Sequence, residues 1–285
     1  MRFAIRYRCA YGYEQSVSDQ HNAVRVQPAE TATQRVDSYE LNVTPRARQF
    51  NYRDYFGTEV SEFNVWESHD RLLIEARARV TTSTPSPPPE TGFHPLGVPD
   101  YRESVEEYLV LDRDETANGR VDGLAQQLSA ESPLGLLLAV CELIPDRFEY
   151  RQDVTYVGST VDDLLDAGGG VCQDFVHLGL LLLRRRGVAA RYVSGYLFAA
   201  PEDGGEDSVE VDTHAWLEAL LPGAGPNGAH AWVGADPTNR GLTGEQHVKI
   251  GHGRHYADVP PVKGVYRGAP NSELDVSVKM SRLQG

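Results

Sequence analysis

Cysteine is sparse in this 285-residue chain, and none of its apolar runs is long. Three cysteines, an odd number, do not make a disulfide framework. The longest apolar stretches, at 134–144 and 175–183, are too short to cross a bilayer. The first eight residues alternate apolar and basic side chains, which predicts a strand and not a secretory signal. We therefore expect a soluble cytoplasmic protein with no membrane partner.

Positive charge is also scarce. The 27 basic and 41 acidic residues give a net charge of −14, and lysine occurs only at Lys249, Lys263 and Lys279. Such a chain repels phosphate backbones, so nucleic acid is excluded as an expected partner. The excess of acid with little lysine fits adaptation to a salty cytoplasm, where an acidic surface stays hydrated. A GC-rich genome, which favours arginine codons, is the alternative explanation.

The composition changes along the chain and predicts three parts. Residues 1–82 carry strand-like segments, such as the alternating run at 72–80, and no long helical periodicity. We expect an antiparallel sandwich of about seven strands there. The proline-rich run at 84–89 cannot continue a ladder or a helix, because proline has no backbone donor. The predicted parts are an N-terminal β-rich domain at 1–82, a linker at 83–102 and a core at 103–285.

The core begins with helix signals and ends with strand signals. Ser132 and Pro133 are the N-cap and first-turn residues of one predicted helix. Thr160 opens a short helix that the glycines at 168–170 end, and a longer helix follows at about 171–186. A helical half followed by a strand half indicates an α+β fold. The predicted strands are 191–197, 213–221, 231–235, 264–267 and 274–280.

Cys172 follows three glycines and lies in the first turn of the longer helix. Backbone N–H groups and the helix dipole favour a thiolate over a thiol at such a position. The glycines let the chain turn sharply and let a substrate backbone come close. The segment 170–175, GVCQDF, is therefore interpreted as a nucleophile loop. Cys141 instead lies on the apolar face of a predicted helix, as a structural cysteine does.

A thiolate nucleophile needs a base and a group that orients the base. His214 lies in a predicted strand, where alternation places it on one face with Trp216 and Glu218. Asp236 follows the next strand, which Pro237 ends, so its carboxylate lies at a sheet edge. Neighbouring antiparallel strands are about 5 Å apart, which brings His214 and Asp236 within hydrogen-bonding reach. Cys172, His214 and Asp236 are the predicted catalytic residues.

Four segments together carry a family resemblance. GVCQDF at 170–175, RYVSGY at 191–196, HAWLE at 214–218 and DPTN at 236–239 resemble, in order and spacing, the successive signatures of the bacterial and archaeal transglutaminase-like superfamily. The resemblance extends over roughly 135–268. The N-terminal segment is similar to the β-rich region that precedes this core in bacterial and archaeal members.

The resemblance implies a papain-like, transglutaminase-like core of helices packed on an antiparallel sheet, preceded by a β-sandwich-like domain. It implies that Cys172 is the nucleophile, His214 the base and then the acid, and Asp236 the group that orients His214. It implies no cofactor. One departure is His255, where the family often has an acidic residue. This leaves the three catalytic positions intact but puts in doubt any role of that loop in substrate choice.

The implied activity is that of a cysteine-dependent hydrolase or acyl transferase acting on peptide or amide bonds of a protein or peptide substrate. Hydrolysis is favoured, because the microbial members are mostly thiol hydrolases and the chain shows no calcium-loop pattern of spaced carboxylates. A cross-linking transglutaminase that accepts an amine is one alternative. A non-catalytic binding or scaffold module that retains the three residues is another.

Other candidates for chemistry were weighed against structural roles. His252 and His255 are spaced like metal ligands with His247 near, but glycine-rich segments with scattered histidines are usually surface, and no cysteine pair completes a tetrahedral set. We expect no metal there, and none in the acidic run at 202–212. Tyr156 is a candidate second donor to the oxyanion. Further expectations are that Asp174 caps or supports the nucleophile turn, that Trp216 walls the cleft or supports it, and that His177 points away from Cys172.

Overall fold

The computed structural model describes residues 1–111, 119–199, 208–211, 213–268 and 271–283. Most of the acidic run at 202–212 lies outside the described residues. The helices are α1 (Pro99–Ser104), α2 (Gly119–Gln127), α3 (Pro133–Arg147), α4 (Val161–Ala167) and α5 (Cys172–Arg185). The strands are β1 (Arg2–Val24), β2 (Gln34–Thr44), β3 (Gln49–Arg53), β4 (Glu59–Val65), β5 (His69–Thr82), β6 (Glu149–Tyr150), β7 (Gly169–Gly170), β8 (Ala190–Leu197), β9 (Ser208–Val211), β10 (Thr213–Leu221), β11 (Ala231–Asp236), β12 (Gly241–Leu242), β13 (His247–Gly253), β14 (Val262–Arg267) and β15 (Ser272–Arg282).

The long strand β1 organises the N-terminal sheet. Its first half pairs with β5 on one side and β15 on the other, and its second half pairs with β4 and β14. The register against β5 shifts between Gly12 and Val17, which bends β1 and lets the sheet curl. Residues 1–82 form five strands instead of about seven, because β1 serves two sets of partners as one strand and β14 and β15 from the C-terminal part pair with it.

The C-terminal strands join this N-terminal sheet. The sequence prediction grouped them with the core at 103–285, but β15 pairs with β1 from Phe3 opposite Arg282 to Tyr13 opposite Ser272. Inward-facing Val278 and Met280 are fully buried in the N-terminal core. A strand's partner is chosen by burial across the sheet, and the local sequence of β15 does not encode it.

The second sheet has the order β12-β11-β10-β8-β13, and all its neighbouring strands are antiparallel. Helices α3 and α5 pack against it. A Cβ added to Gly179 of α5 would lie 2.6 Å from the Leu217 side chain of β10, so α5 lies unusually close to the sheet. Helices packed on an antiparallel sheet confirm the predicted α+β core. None of the described helices has the length and apolarity needed to span a membrane.

The predicted helix caps are present. The Ser132 hydroxyl accepts a hydrogen bond from the Gly135 N–H at 2.9 Å at the start of α3. Thr160 and Asp163 form a reciprocal capping box at the start of α4, and Gly168 ends that helix with a φ of 66°. Gly168 thus ends α4 four residues before Cys172, the first residue of α5.

Two cores meet at the second sheet. One core lies between the helices and the sheet, and the other lies in the N-terminal domain. Four side chains of the second sheet belong to the N-terminal core. They are Tyr196 of β8, Phe198 directly after β8, and Val248 and Ile250 of β13. The rings of Phe3 and Phe198 have centroids 5.2 Å apart. The N-terminal domain is therefore packed directly on the sheet that carries the candidate site.

Candidate active site

The glycines before Cys172 are required by close packing. Gly169 and Gly170 form β7, which pairs in parallel with β6. A Cβ at Gly169 would lie 2.5 Å from the Glu149 carbonyl oxygen, and one at Gly170 would lie 2.6 Å from an Asp174 carboxylate oxygen. Side chains at these positions would push β7 off its neighbours. The short β6–β7 pair thus holds the residues that lead into α5.

Asp174 fixes the first turn of α5. Its carboxylate is buried and accepts hydrogen bonds from the Val171 N–H at 2.8 Å and the Thr155 hydroxyl at 2.7 Å. A carboxylate in the first turn also interacts favourably with the helix dipole. Cys172, the first residue of α5, is partly exposed at this anchored end. The sequence prediction that Asp174 caps or supports the turn agrees with these contacts.

His214 and Asp236 meet on neighbouring strands. His214 lies near the start of β10 and Asp236 is the last residue of β11. His214 Nε2 lies 2.7 Å from Asp236 Oδ2, and Cys172 lies beside the same imidazole, where a hydrogen bond from the ring to the sulfur is among the causes that raise the pKa of His214. The structure therefore brings together the three residues that the sequence predicted as catalytic. With Nε2 engaged by Asp236, the ring nitrogen left for Cys172 is Nδ1.

Asp236 is fully buried and accepts hydrogen bonds from several donors. Oδ1 accepts from the backbone N–H groups of Thr238, at 2.9 Å, and Asn239, at 3.2 Å. Oδ2 accepts from the Asn239 side-chain amide at 2.7 Å, from His214, and from His247 Nε2 at 3.1 Å. A buried carboxylate is stable only when its lone pairs are occupied in this way.

The electrostatics of the site favour charge separation. Burial alone would lower the pKa of His214, but its hydrogen bonds to Asp236 and Cys172 raise that pKa to about 9. Burial raises the pKa of Asp236, yet its donors, led by His214 and His247, hold that pKa well below its usual range. An imidazolium beside an ionised Asp236 and a thiol is the arrangement that stabilises a thiolate.

His247 is the member of this cluster that sequence reasoning did not assign. The sequence prediction took its surroundings as a surface segment, whereas they form β13 at the edge of the second sheet. Buried Val248 and Ile250 alternate there with partly buried polar residues. The alternation of apolar and polar residues with a period of two was the signal from which this strand could have been predicted.

The structure places the other candidates elsewhere. The His252 ring is held by Arg191 Nη1 at 2.9 Å, so His252 does not form a ligand pair with His255. The His177 ring accepts a hydrogen bond from the Tyr256 N–H at 3.3 Å, and burial lowers the pKa of His177 to about 4. The Tyr156 side chain is 75% exposed.

Trp216 is buried beside the site. Its ring packs over Gly195, where a Cβ would lie 2.3 Å from the indole, and meets the His247 ring edge to face at 5.3 Å. These contacts indicate a supporting role for the indole. Glu218, two residues further along β10, contacts Arg191 and Lys249 instead.

The chemistry of the donor set argues against a metal at this cluster. His214, Asp236 and His247 each offer a ligand atom, and these atoms lie within 4.8 Å of one another. However, hydrogen-bond donors already occupy both oxygens of Asp236. A cation would have to displace two imidazole protons and the Asn239 amide. The arrangement fits a hydrogen-bonded carboxylate better than a metal ligand.

Two family models match the chain. The bacterial transglutaminase-like N-terminal region matches residues 3–81, and the transglutaminase-like superfamily matches residues 122–237. The second match contains Cys172, His214 and Asp236. Together the two models cover the N-terminal sheet up to the end of β5 and the core from α2 to β11.

Individual proteins resemble the chain as well. An uncharacterised protein of Mycobacterium tuberculosis strain H37Rv is 33% identical over 297 residues, which cover 100% of this chain and 94% of the relative. A protein-glutamine gamma-glutamyltransferase of Pseudomonas aeruginosa is 27% identical over 165 residues, 54% of this chain and 24% of the relative. A solved structure described as a candidate cysteine protease of Cytophaga hutchinsonii superposes with a TM-score of 0.77 at 22% identity, covering 100% of this chain and 91% of the other. The chain belongs to the transglutaminase-like superfamily and carries the bacterial N-terminal region of that family.

Proposed function

We propose that the chain is a cysteine-dependent hydrolase or acyl transferase that acts on amide bonds of proteins or peptides. The observation that supports this most is the placement of the His214 imidazole, which Asp236 holds at 2.7 Å on one nitrogen and whose pKa is raised by Asp236 and by the neighbouring Cys172. Family membership and the position of Cys172 at the start of α5 support it further. Cys172 is the nucleophile, His214 the base and acid, and Asp236 orients His214.

The reaction proceeds through a thioester. The Cys172 thiolate, formed by proton transfer to His214, attacks the amide carbonyl, and the backbone N–H of Cys172 at the helix start donates to the tetrahedral oxyanion. As the intermediate collapses, the C–N bond breaks and the His214 imidazolium gives its proton to the leaving amine. The acyl group remains on sulfur. Water, deprotonated by His214, then attacks the thioester and releases the acid with Cys172 free again.

Hydrolysis is the proposed fate of the thioester, and amine transfer is the second candidate. Water reaches a partly exposed thioester without a dedicated site, whereas amine transfer needs a second site that binds the acceptor. The similarity to a glutamyltransferase over 54% of the chain supports amine transfer as the second candidate. The same three residues serve both outcomes, so the acceptor decides between them.

The test begins with cysteine alkylation. Iodoacetamide labelling from pH 5 to 9, with mass spectrometry of each cysteine, is expected to show Cys172 reacting well below the ordinary thiol pKa of about 8.5. Buried Cys9 and Cys141 serve as internal controls. The variant His214→Ala should lose the fast reaction at low pH. A wild-type Cys172 with an ordinary thiol profile would favour the non-catalytic binding module.

A second measurement separates hydrolysis from amine transfer. The protein is incubated with glutamine-containing peptides, with and without a fluorescent primary amine, and new N-termini, released ammonia and incorporated dye are measured. Hydrolysis predicts new N-termini or ammonia in the absence of the amine. Products that form only when the amine is present would assign a transglutaminase instead. Cys172→Ala is the blank for all three signals.

The cellular setting is part of the same proposal. We place the protein in the cytoplasm, a location supported by three cysteines that remain free. The net charge of −14 further supports a protein or peptide substrate over nucleic acid. Cell fractionation against cytoplasmic and periplasmic markers tests the location. Recovery with the periplasmic marker would refute it.

A further inference from the structure

His247 reaches the candidate site from β13, the strand at the opposite edge of the second sheet. It is the first residue of β13, and two strands, β8 and β10, separate β13 from β11, which ends at Asp236. In a flat sheet, three strand spacings would separate the two residues by about 14 Å. Their 3.1 Å contact, from His247 Nε2 to Asp236 Oδ2, therefore requires the sheet to curl strongly at the end that carries His214.

The contacts of His247 define its tautomer. Its Nδ1 accepts a hydrogen bond from the Gly244 backbone N–H at 3.2 Å, which places the ring proton on Nε2. Nε2–H is then a donor directed at Asp236 Oδ2. The ring of Trp216 packs edge to face against His247 at 5.3 Å and holds this orientation. His247 is thus built to donate to Asp236.

The His214 ring and the His247 ring meet at the same carboxylate oxygen. Oδ2 accepts from both imidazoles and from the Asn239 amide, and Oδ1 accepts, among the described residues, from the backbone N–H groups of Thr238 and Asn239. A further titratable group near Asp236, among the residues that the structure describes, is Cys141 of α3. Its thiol is fully buried, and burial, followed by the charge of Asp236, raises the pKa of Cys141 to about 12, so it stays protonated.

We propose that His247 is a positioning residue for the reaction: by donating from Nε2 it holds Asp236 Oδ2 in the orientation that grips His214. This inference rests on the proposed function. His247 does not touch the reacting atoms, and it acts through Asp236 on the His214 ring. Without that donor, Oδ2 keeps the His214 ring and the Asn239 amide, and the carboxylate can turn toward Asn239, whose backbone N–H also binds Oδ1. His214 is then held less well against Cys172.

Two substitutions separate the positioning role from a structural one. His247→Gln keeps an N–H donor at the distance of Nε2, so the amide reaches Asp236. His247→Asn keeps an acceptor at the distance of Nδ1 for the Gly244 N–H, but its side chain ends short of Asp236. If His247 only holds the turn at Gly244, Asn can take its place and Gln cannot. If His247 acts on Asp236, Gln can take its place and Asn cannot.

The readout is the rate of Cys172 alkylation at pH 6 together with its full pH profile. We expect His247→Gln to retain the wild-type profile within about threefold, and His247→Asn to lose about tenfold or more at pH 6, the scale of losing an outer hydrogen-bond partner. Wild-type rates in the Asn variant, or a loss in the Gln variant with retention in Asn, would overturn the inference. If wild-type Cys172 itself has an ordinary profile, the proposed function has failed instead.

The tautomer gives a readout that is independent of activity. Long-range ¹H–¹⁵N spectra of the imidazoles, with His247 assigned by its absence in His247→Asn, are expected to show the Nε2–H tautomer at pH 7. A proton on Nδ1 would overturn the inference. So would stoichiometric Zn²⁺ binding to the alkylated protein that is lost in His247→Asn, because the cluster would then be a metal site.

Discussion

At the scale of single residues, the direction of every hydrogen bond to Asp236 matters. Five hydrogen bonds from described residues reach its two oxygens, and in each of them the partner supplies an N–H group while the carboxylate accepts. This surrounding keeps the carboxylate ionised although it is fully buried. The ionised carboxylate in turn favours a charged His214. The protonation state of His214 is thus set by a buried carboxylate and by the donors that surround that carboxylate.

The raised pKa of His214 leads to a prediction about amide turnover. A histidine whose pKa is raised to about 9 stays protonated through neutral pH and loses its proton as the pH rises through 9. Cleavage of an amide needs that proton for the leaving amine, so its rate should fall above about pH 9. The measurement is the initial rate on a chromogenic peptide amide from pH 6 to 10.

A nitrophenyl ester of the same peptide is the matched control, since its leaving group needs no proton. Ester cleavage and Cys172 alkylation should both persist above pH 9. An amide rate that already falls near the ordinary histidine pKa of about 6.5 would contradict the raised pKa.

The donor-only surrounding of Asp236 predicts the effect of Asp236→Asn. The amide NH₂ of asparagine would face the N–H groups that donate to the carboxylate, so it is satisfied only if an imidazole moves its own proton off Nε2, which costs free energy and disturbs the His214 ring beside Cys172. We expect a loss of about 1–3 kcal/mol in the free energy of unfolding, together with slower Cys172 alkylation. Urea denaturation at pH 7 measures the first effect.

Asp163→Asn is the control for that substitution. Asp163 also accepts hydrogen bonds from its capping partner Thr160, but it is exposed, so water can satisfy the new amide. Its effect should be smaller. Equal losses for the two variants would show that burial of Asp236 does not decide the outcome.

The meeting of His214 with Asp236 could be predicted from the sequence, and its support by His247 could not. Cys172, His214 and Asp236 each lie beside a local signal: a glycine run, an alternating strand and a strand-ending proline. The contact of His247 with Asp236 crosses three strand spacings and depends on how the whole sheet curls. No spacing along the chain encodes that curl.

At the scale of elements, the start of α5 depends on the short β6–β7 pair. Gly170→Ala would place a Cβ 2.6 Å from the Asp174 carboxylate, which caps the helix through the Val171 N–H. We expect a loss of about 1–3 kcal/mol in stability, as for other overpacked sites, and slower alkylation of Cys172. Urea denaturation and labelling at pH 6 are the measurements.

Gly244→Ala is the matched control for the glycine substitution. Gly244 lies in the loop before His247, a Cβ there meets nothing within 4 Å, and its N–H to His247 is kept. This variant should behave as wild type. An unaffected Gly170→Ala would mean that the segment before α5 can shift without cost to the nucleophile.

A partly buried charge cluster ties three strands of the second sheet together. Glu218 of β10 contacts Arg191 of β8 at 2.6 Å and Lys249 of β13 at 2.7 Å. Burial would raise the pKa of Glu218, but Lys249 and Arg191 outweigh it and lower that pKa to about 2. Burial lowers the pKa of Lys249 to about 8, a shift that the charge of Glu218 limits. The pair is therefore charged at neutral pH.

The cluster predicts an acid-dependent loss of stability. Because the pKa of Glu218 is depressed on folding, its contribution is present above the ordinary value of about 4.5 and is lost as the pH falls toward 2. Glu218→Gln leaves two partly buried cations without their carboxylate and should cost about 3 kcal/mol at pH 7, the lower end of the range for a fully buried pair. The difference between the variant and wild type should shrink at pH 3. A difference that is constant from pH 7 to 3 would contradict the lowered pKa.

At the scale of the whole molecule, the sequence order of the parts differs from their arrangement in space. The last strand, β15, completes the sheet that β1 begins, and Tyr196 and Phe198 of the core lie in the N-terminal interior. Gln34 of β2 also binds the backbone of Lys249 through both atoms of its amide, at 2.7 and 2.8 Å. The proline-rich change of composition predicts a boundary in the chain, but contacts between distant segments decide how the two parts fold together.

The net charge of −14 leads to a prediction about salt. Simple screening of self-repulsion is nearly complete by 1 M salt, where the Debye length is about 3 Å. If the acidic, lysine-poor surface is an adaptation to a salty cytoplasm, the melting temperature should keep rising between 1 and 3 M KCl. A rise that stops below 1 M would favour a GC-rich genome as the cause of the scarce lysine. As a control, changing exposed Glu103, Glu106 and Glu131 to Gln removes three negative charges and should reduce the slope above 1 M, because fewer hydrated carboxylates remain to respond to salt.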